Sequence, residues 1–132
     1  MAEQTTPTER ELEILKILWH HGEATVRAVY EEMSRSAPIV QNTVQAFLRT
    51  MEEKGLVTHR VEGRSFIYRP LVKRDQTNRS LANNLLERVF DGAIDQMVQS
   101  VFSAQQPTED EIAKLEQMLE AAKRRSSKGG RS

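Results

Sequence analysis

A hairpin-like segment that directly follows three amphipathic helical patterns is the feature that most constrains the fold. Residues 56–61 and 65–69 indicate two short strands, and the tight turn between them contains Gly63, which can take a positive φ. Pro70 ends the second strand. The order helix, helix, helix, hairpin is that of a helix-turn-helix followed by a two-stranded wing. The sequence therefore predicts a winged-helix domain that ends near residue 73.

The first two helical patterns have clear start and stop signals. A capping box at residues 6–9 places Pro7 at the first helical position of the first helix. Gly22 ends that helix. Thr25 can cap the second helix, which breaks at residues 34–38. The sequence therefore predicts two short helices joined by a turn at the N-terminus.

The third helix carries the residues that matter most for function. It runs from about residue 40 to 54, and its buried stripe follows the spacing i, i+3, i+4, i+7. The members of that stripe are Val44, Phe47, Leu48 and Met51. Gly55 ends the helix, and Leu56 is placed to complete a Schellman motif.

The opposite face of the third helix is polar and has no acid before Glu52. In a helix-turn-helix the second helix of the motif enters the major groove and presents its N-terminal residues to the base edges. Asn and Gln side chains can pair with adenine, and the Thr methyl can touch the thymine methyl. The candidate residues near the helix start are Gln41, Asn42, Thr43 and Gln45. The alternative is plain solvent exposure of a polar face.

Three arginines extend this candidate surface. Arg49 lies further along the third helix, where it would reach a phosphate or a guanine. Arg60 and Arg64 lie on the wing, beside a flanking phosphate or the minor groove. The net charge is zero, with 19 basic and 19 acidic residues, which by itself argues against a nucleic-acid partner. The charge is unevenly placed, however, because residues 35–74 carry +5 and residues 123–132 carry +5.

Composition excludes several functional classes. The chain has no cysteine, so disulfides, thiol nucleophiles and thiolate metal sites are ruled out. His20 and His21 are adjacent and cannot bind one metal as an i, i+4 pair would. No nucleotide-binding or catalytic motif is present, so we expect no enzyme activity, no cofactor and no metal. Without an apolar run of 18 residues or a secretory signal, we expect a cytoplasmic chain with no membrane insertion.

From Asp75 onwards the sequence predicts three more helices, over residues 75–90, 93–104 and 108–125. Each has one apolar stripe and little else to bury it, so a partner must cover the stripes. A second copy of the chain would give a two-fold dimer, and folding back on the N-terminal domain is the alternative. The candidate dimer-interface residues are Leu81, Leu85, Val89, Met97, Val101, Leu115 and Leu119.

The predicted fold class is mostly α with a small β-hairpin. Residues 1–73 form the winged helix-turn-helix domain and residues 74–125 form a helical dimerisation region. Residues 126–132 are predicted to be a disordered basic tail.

Three groups of residues together resemble the penicillinase-repressor family, over about residues 6–122. They are Thr6, Glu9 and Leu18-Trp19; then Asn42-Thr43-Val44-Gln45 with Leu48, Met51 and Lys54-Gly55-Leu56-Val57; then Gly63-Arg64, Tyr68 and Pro70. This family includes the beta-lactamase and methicillin-resistance repressors and copper-responsive relatives.

The resemblance implies a homodimeric winged-helix repressor that binds inverted repeats with TACA/TGTA half-sites in double-stranded promoter DNA. By motif position it implies base contacts from Asn42, Thr43, Gln45 and Ala46. It also implies backbone contacts from Arg49 and Thr50, and places Arg64 at the wing tip. The C-terminal helices form the dimer in this family. Its usual signalling partner is a membrane-bound sensor metalloprotease.

The chain departs from the family pattern in three places. Family members often have Arg or Thr at the positions of Gln45 and Ala46. The copper-responsive relatives have a cysteine-rich metal hook, and this chain has no cysteine, so copper sensing by that route is excluded. The resistance repressors are cleaved at an Asn-Phe bond, whereas the candidate cleavage region here is Ser100, Val101 and Phe102.

Two other functions compete with the repressor. A winged-helix protein-interaction module without sequence-specific DNA binding is favoured by the zero net charge, and the acid-free face of the third helix argues against it. Regulation by a small molecule is the other, although the apolar stripes show no polar cluster that would line a pocket.

Overall fold

The computed structural model describes residues 6–129, and these form helices and one small antiparallel sheet. In chain order the elements are α1 (Glu9–His21), β1 (Ala24–Thr25), α2 (Val26–Met33), α3 (Gln41–Glu53), β2 (Val57–Glu62), β3 (Ser65–Pro70), α4 (Arg74–Phe90), α5 (Ile94–Ala104) and α6 (Glu109–Gly129).

The core of the N-terminal unit lies where α1, α2 and α3 pack together with the sheet. Its fully buried side chains come from the helical stripes and from the start of β2. They are Ile14, Leu15, Leu18, Val29, Val44, Leu48, Met51 and Val57. Phe47 is only partly buried and packs against this core. The stripe predicted for α3 therefore faces the core, which leaves its other face to solvent.

The sheet has the strand order β1-β3-β2, and all its pairs are antiparallel. In the wing hairpin Val61 pairs with Phe66 and His59 pairs with Tyr68. Gly63 at the turn has φ 63°, a left-handed conformation that glycine adopts without steric cost. The hairpin and its turn agree with the sequence prediction to within one residue at each strand end.

The strand β1 was not predicted from the sequence. It has only two residues, Ala24 and Thr25, which pair with Tyr68 and Ile67 of β3. A strand this short has no alternation for a pattern to detect. Thr25 also accepts a hydrogen bond from the backbone N–H of Ala28 at 3.1 Å, so its predicted role as the cap of α2 is confirmed.

The capping box predicted at residues 6–9 was wrong in register. The structure uses Thr8 and Glu11, with the Glu11 N–H donating to Thr8 Oγ1 at 3.2 Å and the Thr8 N–H donating to Glu11 Oε1 at 3.0 Å. Pro7 consequently precedes the N-cap and lies outside α1. The pairs Thr6–Glu9 and Thr8–Glu11 both match the capping-box motif. In the pair that the structure uses, Glu11 also accepts a hydrogen bond from Lys54 of α3.

The two ends of α3 behave differently. At its C-terminus the Leu56 N–H donates to the Met51 carbonyl at 2.9 Å and the Gly55 N–H to the Glu52 carbonyl at 3.1 Å. These two bonds are the predicted Schellman motif. At its N-terminus the cap residue Val40 makes no side-chain hydrogen bond. The helix is therefore fixed mainly at the end far from its candidate base-contacting residues.

The chain divides into two compact units, and the division falls after Leu85, inside α4. The predicted boundary after residue 73 coincides instead with the start of α4. The first turns of α4 are tied to the N-terminal unit, because Thr77 is buried and Arg74 lies over the Trp19 ring at 5.2 Å. Trp19 Nε1 in turn donates to the Val72 carbonyl at 2.9 Å.

The C-terminal unit contains the end of α4 and the helices α5 and α6. A capping box begins α6, since the Glu111 N–H donates to Thr108 Oγ1 at 3.1 Å and the Thr108 N–H to Glu111 Oε1 at 2.9 Å. The helix α6 continues to Gly129, four residues beyond its predicted end. Part of the tail predicted to be disordered is therefore helical, and residues 130–132 lie outside the described residues.

Candidate nucleic-acid interface

The helix α3 presents one continuous exposed face on the side opposite its buried stripe. Its exposed members are Asn42, Thr43, Ala46, Arg49 and Thr50. These positions fall within a single sector of the helix because they recur at spacings of three and four residues. Every base-contacting residue predicted from the family motif except Gln45 is fully exposed here.

Gln41 and Gln45 lie at the edge of this face and are half-buried. Both line a groove of about 660 Å³ that also receives Arg64 from the wing. The structure thus places these two glutamines and the wing-tip arginine around one groove, although more than 15 residues of sequence separate Arg64 from either glutamine.

The same groove has a third wall that was not predicted from the sequence. The start of α2 contributes Thr25 and Arg27, and β3 contributes Ser65 and Phe66. Arg27 donates to Glu31 Oε2 at 3.1 Å within α2. The sequence did contain a signal for this wall, because Arg27 is the second residue of α2. The first helix of a helix-turn-helix motif crosses the DNA backbone, so an arginine at its start is a candidate phosphate contact.

One ion pair and one side-chain hydrogen bond join the C-terminal end of α3 to its neighbours. Lys54 Nζ donates to both carboxylate oxygens of Glu11, at 2.8 and 2.9 Å, and the Glu11 side chain is only 3% exposed. Glu52 Oε1 lies 2.8 Å from Nδ1 of His59 on β2. The first contact joins α3 to α1 and the second joins it to the wing, so together they set the angle at which α3 is presented.

The face of the wing that turns towards α3 is packed with aromatic rings. His59 stacks on Phe66 with 4.2 Å between ring centroids, and Tyr68 lies 5.2 Å from His59. Burial raises the pKa of the Tyr68 hydroxyl above its ordinary value, and the negative charge of Glu52 raises it further, while Arg49 opposes the shift. These ring contacts, with the His59–Glu52 hydrogen bond, pack the hairpin beside α3.

The two wing arginines predicted to meet DNA have different surroundings. Arg60 donates to Glu23 at 2.9 Å and to Glu62 at 3.1 Å, and the Glu23 carboxylate, followed by Glu62, raises the pKa of Arg60. Arg64, at the tip, has no hydrogen-bond or ion-pair partner within residues 6–129. Arg64 therefore offers an unpaired positive charge, whereas Arg60 does not.

The C-terminal unit leaves much apolar side-chain surface uncovered. Among the candidate dimer-interface residues Val89, Val101 and Leu119 are 60%, 52% and 63% exposed, and Met97 and Leu115 are half-buried. Of the two candidates in the N-terminal unit, Leu85 is exposed and Leu81 is half-buried. Exposed apolar surface on this scale marks an interaction site.

The candidate cleavage region lies within a regular helix. Ser100, Val101 and Phe102 are exposed and belong to α5, which begins at Ile94 and ends at Ala104. Helical backbone is not the extended form that protease clefts bind, so this stretch must open locally before it can be cut.

Neither a metal cluster nor a membrane span is found in the part of the chain that the structure describes. No group of three or more His, Asp or Glu side chains in residues 6–129 is placed to hold a metal ion. None of the helices in that range is both long and apolar enough to cross a lipid bilayer.

Comparison with known proteins supports the predicted fold and class. The penicillinase repressor family model matches residues 7–121. The penicillinase repressor of Bacillus licheniformis is 30% identical over 118 residues, which cover 89% of this chain and 92% of that protein. The methicillin resistance regulatory protein MecI of Staphylococcus aureus is 21% identical over 109 residues, which cover 83% and 89%.

A solved structure of similar fold is the solution structure of the DNA binding domain of the repressor BlaI. It matches with a TM-score of 0.50 and 30% identity, over 56% of this chain and 90% of that domain. The predicted winged-helix fold is confirmed by this similarity. The prediction of a regulator rather than an enzyme also agrees with these relatives, which are repressors and regulatory proteins.

Proposed function

The chain belongs to the penicillinase repressor family, and from that premise we propose that it is a homodimeric repressor that binds an inverted-repeat promoter operator. Its membership makes it a DNA-binding repressor. The exposed face of α3 reads the bases, and the wing contacts the flanking backbone. One observation carries this proposal: Gln41 and Gln45, at the edge of the exposed face of α3, line the same groove as the unpaired arginine of the wing tip.

The base-reading role falls to the residues on the exposed face and at its edge. Asn42 and Gln45 can each pair with an adenine edge, and Thr43 and Ala46 can touch a thymine methyl. A TACA/TGTA half-site offers both kinds of partner, because each of its A·T pairs carries an adenine edge and a methyl group. This chemistry supports the half-site that the family resemblance implies.

We assign the backbone contacts to two exposed arginines and two neutral polar side chains around this face. Gln41, Arg49 and Thr50 flank the base readers, and Arg64 projects from the wing tip. Phosphate contacts of this kind supply most of the affinity and fix the register without reading sequence. Arg60 is assigned to the wing surface, where its two carboxylate partners compete with a phosphate.

The dimer is proposed from the apolar surface of the C-terminal helices. Val89, Val101, Met118 and Leu119 are more than half exposed in a single chain, which is costly unless a partner covers them. In a two-fold dimer the same apolar surface of a second copy packs against it. This arrangement also gives the two-fold symmetry that an inverted repeat requires. We propose a cytoplasmic location, because the protein must reach promoter DNA to act as a repressor.

Release from the operator is proposed to follow cleavage near Ser100, Val101 and Phe102 by a membrane-bound sensor metalloprotease. The exposed position of these residues supports access. Their place in the middle of α5 means that cleavage depends on local opening of that helix.

Fluorescence anisotropy tests the repressor function directly. The purified chain is titrated into a labelled duplex with a TACA/TGTA inverted repeat and into a scrambled duplex of equal composition, over a salt series. We expect two protomers to bind the repeat, with affinity that falls as salt rises. Equal, weak binding to both duplexes would contradict the proposed operator. Absence of binding to either duplex would favour the protein-interaction module instead.

A further inference from the structure

Two wing residues, Arg60 and Glu62, form a charged cluster with Glu23, which precedes β1. We name these three side chains the Arg60 cluster. Arg60 on β2 donates to Glu62, two residues along its own strand, at 3.1 Å. It also donates to Glu23, which precedes β1, at 2.9 Å. Because β3 lies between β1 and β2, the Arg60 side chain reaches across the central strand to make this second contact.

The Arg60 cluster faces solvent although both terminal nitrogens of its arginine donate to carboxylates. The side chains of Arg60, Glu23 and Glu62 are 52%, 45% and 64% exposed. With two carboxylates on one guanidinium, the cluster has a formal charge of −1. Arg64 stands two residues beyond Glu62 and has no partner in the described chain. The wing thus has one arginine available to a phosphate and one that is already occupied by carboxylates.

On the premise of the proposed DNA-binding function, we propose that Glu23 and Glu62 hold Arg60 away from DNA phosphates and thereby lower the affinity of the wing for any duplex. A phosphate that approaches Arg60 must compete with both carboxylates for its N–H donors and is repelled by their negative charge. Exposed ion pairs are individually weak, so this restraint lowers the affinity by several-fold and does not abolish binding.

The variant E23Q/E62Q removes both carboxylates and keeps the side-chain size. We expect it to bind DNA more tightly than the wild type and to steepen the slope of log affinity against log salt by about 0.9 for each added phosphate contact, or about 1.8 for a dimer that gains one contact per protomer. Its advantage should therefore shrink by about 12-fold between 50 and 200 mM salt. Repeat and scrambled duplexes should gain equally, because phosphate contacts carry no sequence information.

Three matched variants isolate the Arg60 cluster from general effects of charge. R60Q should leave the salt slope unchanged, because Arg60 makes no phosphate contact in the wild type. R60Q added to E23Q/E62Q should return the slope to the wild-type value. The control E9Q/E116Q removes the same total charge from two exposed acids, one on α1 and one on α6, neither of which pairs with an arginine in residues 6–129, and it should not change the slope by a full contact. Circular dichroism of each variant verifies the fold.

The salt series tests whether Glu23 and Glu62 keep Arg60 from binding phosphate. A loss of about 1.8 in slope for R60Q, which is about 0.9 for each protomer, would show that Arg60 already binds phosphate and would overturn the proposal. An unchanged slope in E23Q/E62Q, or an equal gain in E9Q/E116Q, would overturn it as well. If the double variant does not fold, E23Q alone, with a smaller gain, and R60Q carry the test. Wild-type protein that binds no duplex would instead refute the DNA-binding function itself.

Discussion

Replacing Asn42 and Gln45 together by Ala removes the two amides proposed to read bases. The fold should be unaffected, because Asn42 is exposed, Gln45 is half-buried, and neither has a hydrogen-bond partner in residues 6–129. Alanine is also the stronger helix former at both positions, so α3 should gain a few tenths of a kcal/mol. Any loss of DNA affinity then reports on contacts with DNA.

The size of the loss follows from the number of contacts. Each bidentate amide–adenine pair contributes about 1–3 kcal/mol of discrimination, so two pairs in one protomer contribute about 2–6 kcal/mol. A dimer on an inverted repeat loses this amount at both half-sites. The whole difference between specific and non-specific binding is about 4–10 kcal/mol, so N42A/Q45A should lose most of its preference for the repeat.

The assay is competition of unlabelled repeat and scrambled duplexes against a labelled repeat at one salt concentration. The matched control is Q76A/N78A, which removes one glutamine and one asparagine from exposed positions at the start of α4. We expect the control to keep the wild-type affinity ratio and N42A/Q45A to bind both duplexes at the level of scrambled DNA. An unchanged ratio in N42A/Q45A would refute the assignment of these residues as base readers.

Three further predictions address the wing, the support of α3 and the dimer. Arg64→Ala should weaken binding to all sequences alike and lower the salt slope by about 0.9 per protomer, or about 1.8 for the dimer; a wild-type slope would exclude the wing tip as a phosphate contact. Lys54→Met leaves the Glu11 carboxylate buried without its cation, so urea unfolding should show a loss of about 2–3 kcal/mol, and a loss below about 1 kcal/mol would refute a structural role for the pair. Leu119→Asp should give monomers in sedimentation and weaken operator binding, while Gln117→Asp on the same helix should stay dimeric; a dimeric Leu119→Asp would place the interface elsewhere.

Local sequence signals were sufficient for α3 and the wing. The spacing of Val44, Leu48 and Met51 predicted which face is buried, and hence which side chains are exposed. Gly55 and Gly63 predicted the helix end and the hairpin turn, because both depend on a backbone conformation set by one residue. Features governed by contacts between near neighbours in sequence were therefore accessible without the structure.

Features governed by distant contacts were not accessible in this way. Glu23 lies 37 residues before Arg60 in sequence, so nothing local indicated that this arginine is occupied. The capping motif matches equally well at Thr6–Glu9 and Thr8–Glu11, and only the structure shows that the second box forms and that its Glu11 also pairs with Lys54 from α3. The groove that joins the two glutamines of α3 to Arg64 likewise exists only after the wing has folded over the helices.

The central claim is that the exposed face of α3 and the wing tip form the DNA surface. The most direct measurement is an amide chemical-shift map of the labelled, full-length protein with and without the inverted-repeat duplex. We predict the largest changes at residues 42–50 and at Gly63 and Arg64, with smaller changes at the start of α2. Shifts concentrated on α1 or α6, with α3 unchanged, would contradict the account.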